Sequence, residues 1–322
     1  MELEQALAKT GVPVGAIVLV FGLLVGSFLN VVIARLPEGM SIVHPRSRCP
    51  ECKTPIAAWW NIPVVSWLVL RGKCASCKAP IDARYPAIEL LTGVLFLACY
   101  QQYGLTLALF NSLLLTGSLI AITFIDMAIF EIPDEIVLPG IVLGIVLRPL
   151  AFDVPIYSGL VGALIGGGSL LSIRFVYYLI RGREGLGLGD PKLFAMIGAF
   201  CGVIALIPVL LIASITGSIV GLVNQFVDAR DTADDDDEPL EEDPFPDGEP
   251  PSGLFARLVW ALRMTFLQLP EPDEDEEALE EEDDWVPPRG AIPFGPFLAL
   301  GAFANLLFGP TFQRILFGVG LI

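Results

Sequence analysis

Apolar residues in this chain gather in long uninterrupted blocks instead of recurring on one helical face or alternating as in strands. A bilayer core of about 30 Å takes about 20 such residues in a helix. Blocks of roughly that length fall at 13–34, 86–103, 106–125, 135–151, 156–180, 191–207, 208–227 and 292–320. They predict an all-α polytopic membrane protein with about eight transmembrane helices. Pro208 alone separates the sixth block from the seventh. The first block is too long for a removable signal peptide and lacks a small-residue cleavage site, so it is expected to remain as an anchor.

Polar stretches divide the chain between these blocks. The first helix occupies 1–34, a polar loop domain 35–85, a membrane core 86–227, an insert 228–290 and the last helix 291–322. The loop holds eight Lys/Arg between residues 35 and 84 against Glu38, Glu51 and Asp82. Short loops rich in Lys and Arg stay cytoplasmic. Parity then puts the 126–134 and 181–190 loops and the insert on that same side.

Composition agrees with membrane residence: 54% of the 322 residues are hydrophobic and the mean hydropathy is +0.68, beyond the range of ordinary soluble domains. The net charge of −17 is misleading. Residues 228–290 hold 23 Asp/Glu against four Arg, and the remainder is close to neutral. The insert is expected to be largely disordered, except for "GLFARLVWALRMTFLQL" (253–269), whose apolar spacing predicts an interfacial amphipathic helix or a protein-docking one.

Four of six cysteines form Cys49-Pro-Glu-Cys52 and Cys74-Ala-Ser-Cys77. Paired knuckles at this separation are the signature of a tetrathiolate zinc site. A metal would join turns that so short a loop cannot hold by burial. With four thiolates and no open position, the zinc is expected to be structural. Two disulfides are the alternative, disfavoured on the cytoplasmic side. Cys99 and Cys201 lie in apolar blocks and are expected to pack; His44 has no assigned role.

Three carboxylates stand where membrane helices begin or end, and ionisable groups at that depth default to functional hypotheses. Asp134 follows Ile132-Pro133 and opens an apolar run, which suits a helix N-cap. Asp190 precedes Pro191, which also suits a first helical turn. The preceding "GLGLG" offers more freedom than a cap needs: glycines allow positive φ and close approach of another backbone. The glycines are expected to open a wet gap in the helix packing. Asp126 ends the run "LLLTGSLIAITFI", where the helix dipole is negative and a carboxylate is misplaced. Lys192 either steadies substrate or marks the membrane interface.

Several segments together resemble the bacterial type IV prepilin peptidase family: "GSFLNVVIARLP", the cysteine block through "ARYPAIELLTG", "FIDMAIFEIPD", "GLGLGDPKL" and "AIPFGPFLALGA". These are polytopic aspartic peptidases of the Gly-x-Gly-Asp type, and many are also N-methyltransferases. The resemblance implies that Asp126 and Asp190 are the catalytic pair and that Cys49, Cys52, Cys74 and Cys77 hold Zn2+. It also implies S-adenosylmethionine as methyl donor, though no glycine-rich nucleotide loop appears in 35–85. Implied partners are type IV prepilins or pseudopilins and the lipid bilayer of the bacterial inner membrane, with the site at the cytoplasmic face. No nucleic acid is expected. The insert departs from the family pattern, in which the last span follows closely.

Two other classes remain open on sequence grounds. One is a zinc-loop methyltransferase or binding module without peptidase activity. The other is an ion- or proton-coupled transporter using the buried aspartates, which leaves the cysteines unexplained and predicts repeated halves that are not seen. For the glycines of "GLVGALIGGGS" (159–169), intramolecular packing competes with a substrate-docking role.

Overall fold

The computed structural model describes residues 13–181, 186–231 and 292–317. The described residues form helices α1 (Val14–Arg35), α2 (Val65–Val69), α3 (Arg84–Tyr103), α4 (Leu107–Ile129), α5 (Asp134–Phe152), α6 (Ser158–Arg181), α7 (Gly189–Cys201), α8 (Val203–Asp231) and α9 (Gly295–Phe317). Among them, β structure is limited to two isolated bridges in the loop between α1 and α3. Six helices (α1, α4, α5, α6, α8 and α9) are long and apolar enough to cross a membrane. The chain is a multi-pass helical membrane protein. Helix α3 carries Arg84, Glu89 and Gln101–Gln102, and α7 has only 13 residues.

Most predicted boundaries fall within a few residues of the observed ones, but the break after Asp190 does not. It lies at Gly202, and Pro208 sits inside α8. Gly202 adopts φ +81, open to glycine at no steric cost. The Arg148 guanidinium covers that position and donates to the Phe200 carbonyl at 3.1 Å, occupying an acceptor that a helix end leaves orphaned. Proline costs α8 one backbone hydrogen bond; it does not end the helix. The amphipathic 253–269 segment and nearly all of the 228–290 insert lie outside the described residues.

Lipid tails are as apolar as leucine, so membrane helices associate through close packing at small residues more than through burial. That rule is visible here. Gly22 of α1 faces Gly93 of α3, where an added Cβ would stand 2.8 Å from the Gly93 Cα. Gly162 of α6 and Gly198 of α7 press on each other's carbonyls, and Gly166 lies against the Phe194 carbonyl. Gly159, Gly162, Gly166 and Gly167 therefore serve packing within the chain, and Gly168 does not. Gly162→Val is expected to cost roughly 1–3 kcal/mol through overpacking, lowering the thermal midpoint in detergent. Gly168→Ala, with nothing within 4 Å of an added Cβ, is expected to leave it unchanged.

The core lies where α4, α5, α7, α8 and α9 meet, around Leu119, Ile122, Val137, Leu193, Ile197 and Leu298. A second cluster joins α1, α3 and α4 through Ile33, Ile88 and Ile125. Helix α4 belongs to both. Its last turn, which carries Asp126, is thereby fixed from two sides.

Candidate active site and metal centre

Helix α4 ends at Phe130, whose left-handed conformation (φ 57) returns its N–H to the Asp126 carbonyl at 2.9 Å. This cap keeps Asp126 inside the last turn. The residue is 4% exposed, and its Oδ2 has no hydrogen-bond partner. Its carboxylate lies against the backbone of Gly295, at the start of α9: an added Cβ there would strike Oδ2 and stand 3.2 Å from Cγ. That oxygen is buried and the Gly295 N–H acts on the carboxylate, so it is held against protein and not open to solvent.

Asp190 is the second residue of α7 and 8% exposed. No side chain caps that helix. Gly189, its neighbour in sequence, and Gly295, which packs on Asp126, both lie against Ile132. Two aspartates 64 positions apart thus share one neighbourhood. Of the glycines before Asp190, Gly189 acts through close approach and not through an unusual torsion. Neither Gly187 nor Gly189 has positive φ, contrary to the freedom expected of them. An added Cβ on Gly189 would sit 2.9 Å from the Ile132 Cβ. Ile132 also reaches Gly295, its Cδ1 3.4 Å from the Cβ position. One side chain therefore wedges between the entrances to α7 and α9.

Nor do those glycines line the cavity found nearby. An open cavity of about 440 Å³ lies between α8 and the start of α9, bounded by Ser214, Gly217, Ser218, Phe294 and Phe297 among others. It adjoins Gly295 through Phe294.

Asp134 departs from the cap read for it in the sequence. Asp134 is the first residue of α5, the cap position belongs to Pro133, and no side-chain cap bond forms. Its two carboxylate oxygens instead accept from the Lys192 Nζ at 2.8 and 2.9 Å. No periodicity joins residues 58 apart, so no sequence signal pairs them. Two buttresses were missed likewise. Arg84 donates to the Phe124 carbonyl at 3.1 Å and stacks over the Phe124 ring. Buried Arg174 donates to the Leu186 carbonyl, just ahead of Asp190.

The four predicted cysteines meet in the loop. Their sulfurs all lie within 4.8 Å of one another, and none is disulfide-bonded. Each pair sits on the same turn. The backbone carbonyls of Cys49 and Cys74 accept from the N–H of Lys53 and Lys78, both at positive φ, and Arg48–Pro55 and Lys73–Pro80 bridge behind them. The repeated Cys-Lys-x-Pro is the sequence trace of that turn. The cluster fits a metal. A tetrahedron with metal–sulfur bonds of about 2.3 Å has sulfur–sulfur edges of about 3.8 Å, and Cys49 and Cys77 are 3.8 Å apart. Hydrogen bonds at Thr54 hold the Cys52 thiol down at about 6, favouring the thiolate that a metal requires. A backbone bond at Ala79 opposes the rise at Cys77, but burial and the other three thiols push it up to about 11. A cation at the centre removes that conflict.

The loop is tied to the helices. Val64 donates its N–H to Glu89 of α3 at 2.7 Å, Trp67 donates to the Ile81 carbonyl, and Arg35 donates to the carbonyls of Ser41 and Pro45.

Comparison with known proteins places this architecture. Residues 20–103 match the Bacterial Peptidase A24 N-terminal domain, and residues 113–222 match the Type IV leader peptidase family. The prepilin leader peptidase/N-methyltransferase of Myxococcus xanthus (strain DK1622) is 42% identical over 306 residues, covering 92% of this chain and 91% of that protein. The chain belongs to the type IV leader peptidase family. Proteins with the same name resemble this member from two further organisms. That of Neisseria gonorrhoeae is 41% identical, covering 70% of this chain and 86% of the relative. That of Burkholderia pseudomallei (strain 1026b) is 33% identical, covering 94% and 88%. No solved structure matches the chain significantly.

Proposed function

We propose that this family member removes the leader from type IV prepilins or pseudopilins and then methylates the new N-terminal amine. Full-length similarity to prepilin leader peptidase/N-methyltransferases carries the reading. Transporter and binding-module alternatives have no comparable support. Leader removal is assigned to Asp126 and Asp190, because each is buried at a helix end and Ile132 links their surroundings.

Two close carboxylates cannot both ionise at low cost, so the pair holds one proton between them. The charged member takes a proton from water while the protonated member polarises the scissile carbonyl. The water oxygen bonds to that carbon, giving a tetrahedral intermediate. The C–N bond then breaks as the departing amine receives a proton from the pair. Acid and base are roles of the dyad and not of either residue alone.

The loop spanning 35–85 is assigned zinc on Cys49, Cys52, Cys74 and Cys77. Bound there, the ion supplies structure only, since four thiolates leave no open position. S-adenosylmethionine is the methyl donor that the methyltransferase name implies. The cavity beside α9 does not fit it, having no charged lining group to meet the sulfonium or the amino-acid end, so no residue is assigned to that donor. Eight crossings are proposed, with α3 and α7 added to the six long helices. The basic loop then faces the cytoplasm and both aspartates open to that side of the inner membrane. The test is to incubate purified protein with a prepilin in detergent, with and without S-adenosylmethionine. Mass spectrometry should show leader loss in both samples and one added methyl only with the donor. An intact prepilin in both would overturn the reading.

A further inference from the structure

With Asp126 and Asp190 taken as the catalytic pair, we propose that Asp134 and Lys192 are positioning residues that hold the two aspartates in register. The ion pair closes a ring. From Asp126 the chain passes through the Phe130 cap and the Ile132–Pro133 turn to Asp134, crosses to Lys192, and returns through Pro191 to Asp190. The two catalytic carboxylates are thus joined by eight residues on one side and two on the other.

The geometry suits that task. Residues two apart on a helix point about 200° apart around its axis, so Lys192 projects from the face nearly opposite Asp190. A tether there fixes the rotation of the first turn of α7, and with it the direction of the Asp190 carboxylate. Both oxygens of Asp134 accept from Nζ, at 2.8 and 2.9 Å, so the contact is not a passing one. Ile132, between Gly189 and Gly295, sets the spacing that the ion pair then locks. Stability alone does not explain the pair. Its side chains are 38% and 47% exposed, and pairs so placed contribute little to folding. Orientation errors of an ångström, by contrast, cost catalysis heavily.

The test is steady-state cleavage of a prepilin by purified full-length Asp134→Asn, Lys192→Met, the double variant and Lys192→Arg. Each is also assayed for methylation of a pre-cleaved pilin and for thermal midpoint. The two single variants should lose about ten- to a hundredfold in kcat with KM unchanged. The double variant should lose no more than the worse single one, since both remove the same contact. Lys192→Arg should retain most activity, and methylation and thermal midpoint should not move. A rise in KM with kcat intact would make Lys192 a substrate-binding group and overturn the proposal. So would additive losses, or a parallel fall in methylation and midpoint. Asp126→Asn in the same assay reports on the catalytic pair independently: cleavage surviving there would refute the dyad, whatever the tether variants do.

Discussion

Asp126→Asn and Asp190→Asn are each expected to abolish leader cleavage, lowering kcat by at least about a thousandfold, as when one member of a catalytic unit is lost. Asparagine keeps the shape of aspartate, so α4 still packs against Gly295 and α7 still starts at Gly189. It cannot take a proton from water or exchange one with its neighbour, and the shared-proton arrangement vanishes. The double variant should be no worse than either single one, because each already removes the unit. Methylation of a pre-cleaved pilin should persist in all three, which separates lost chemistry from lost fold. Quantified cleavage by mass spectrometry decides the matter: substantial turnover by either single variant would remove both aspartates from the mechanism as drawn.

The second large effect concerns the cysteine loop. Purified protein is expected to contain about one zinc per chain, and Cys49→Ser or Cys74→Ser should release it. Between α1 and α3 the loop buries very few side chains, Cys49 and Ser66 among them, so burial cannot hold its two knuckles together. In isolated zinc-finger peptides the metal contributes about 10–16 kcal/mol of apparent binding energy, far more than so small a core supplies. The variants should therefore become sensitive to limited proteolysis within residues 36–83, while the membrane helices keep their thermal transition. Metal analysis of the intact protein gives the contrary outcome its chance: absence of bound metal, with the loop still protease-resistant, would refute a structural ion.

Much of this organisation was legible in the sequence, and the reasons are specific. Apolar blocks report membrane helices because a bilayer demands both length and hydrophobicity, so α1, α4, α5, α6 and α9 fall close to their predicted ranges. The cysteines were legible because two short turns with fixed spacing need no knowledge of the fold. Asp126 and Asp190 stood out as carboxylates in the wrong company, although their meeting is tertiary. What escaped was of one kind. The Asp134–Lys192 pair, the Arg84 and Arg174 buttresses and the Ile132 wedge depend on distant segments arriving side by side, and local preference even argued for a different role at Asp134. The misplaced break had a related cause. Proline is the stronger local breaker, but Arg148 from another helix covers the chain at Gly202 and not at Pro208.

The 13-residue length of α7 has a consequence for hydrolysis. A helix that short spans about 20 Å, about 10 Å less than a bilayer core. None of its residues is exposed, so neighbouring helices and not lipid surround it. As one of the eight proposed crossings it could not reach both surfaces, and a recess walled by protein would stand at the end that falls short. At the Asp190 end, such a recess would supply the water that hydrolysis consumes.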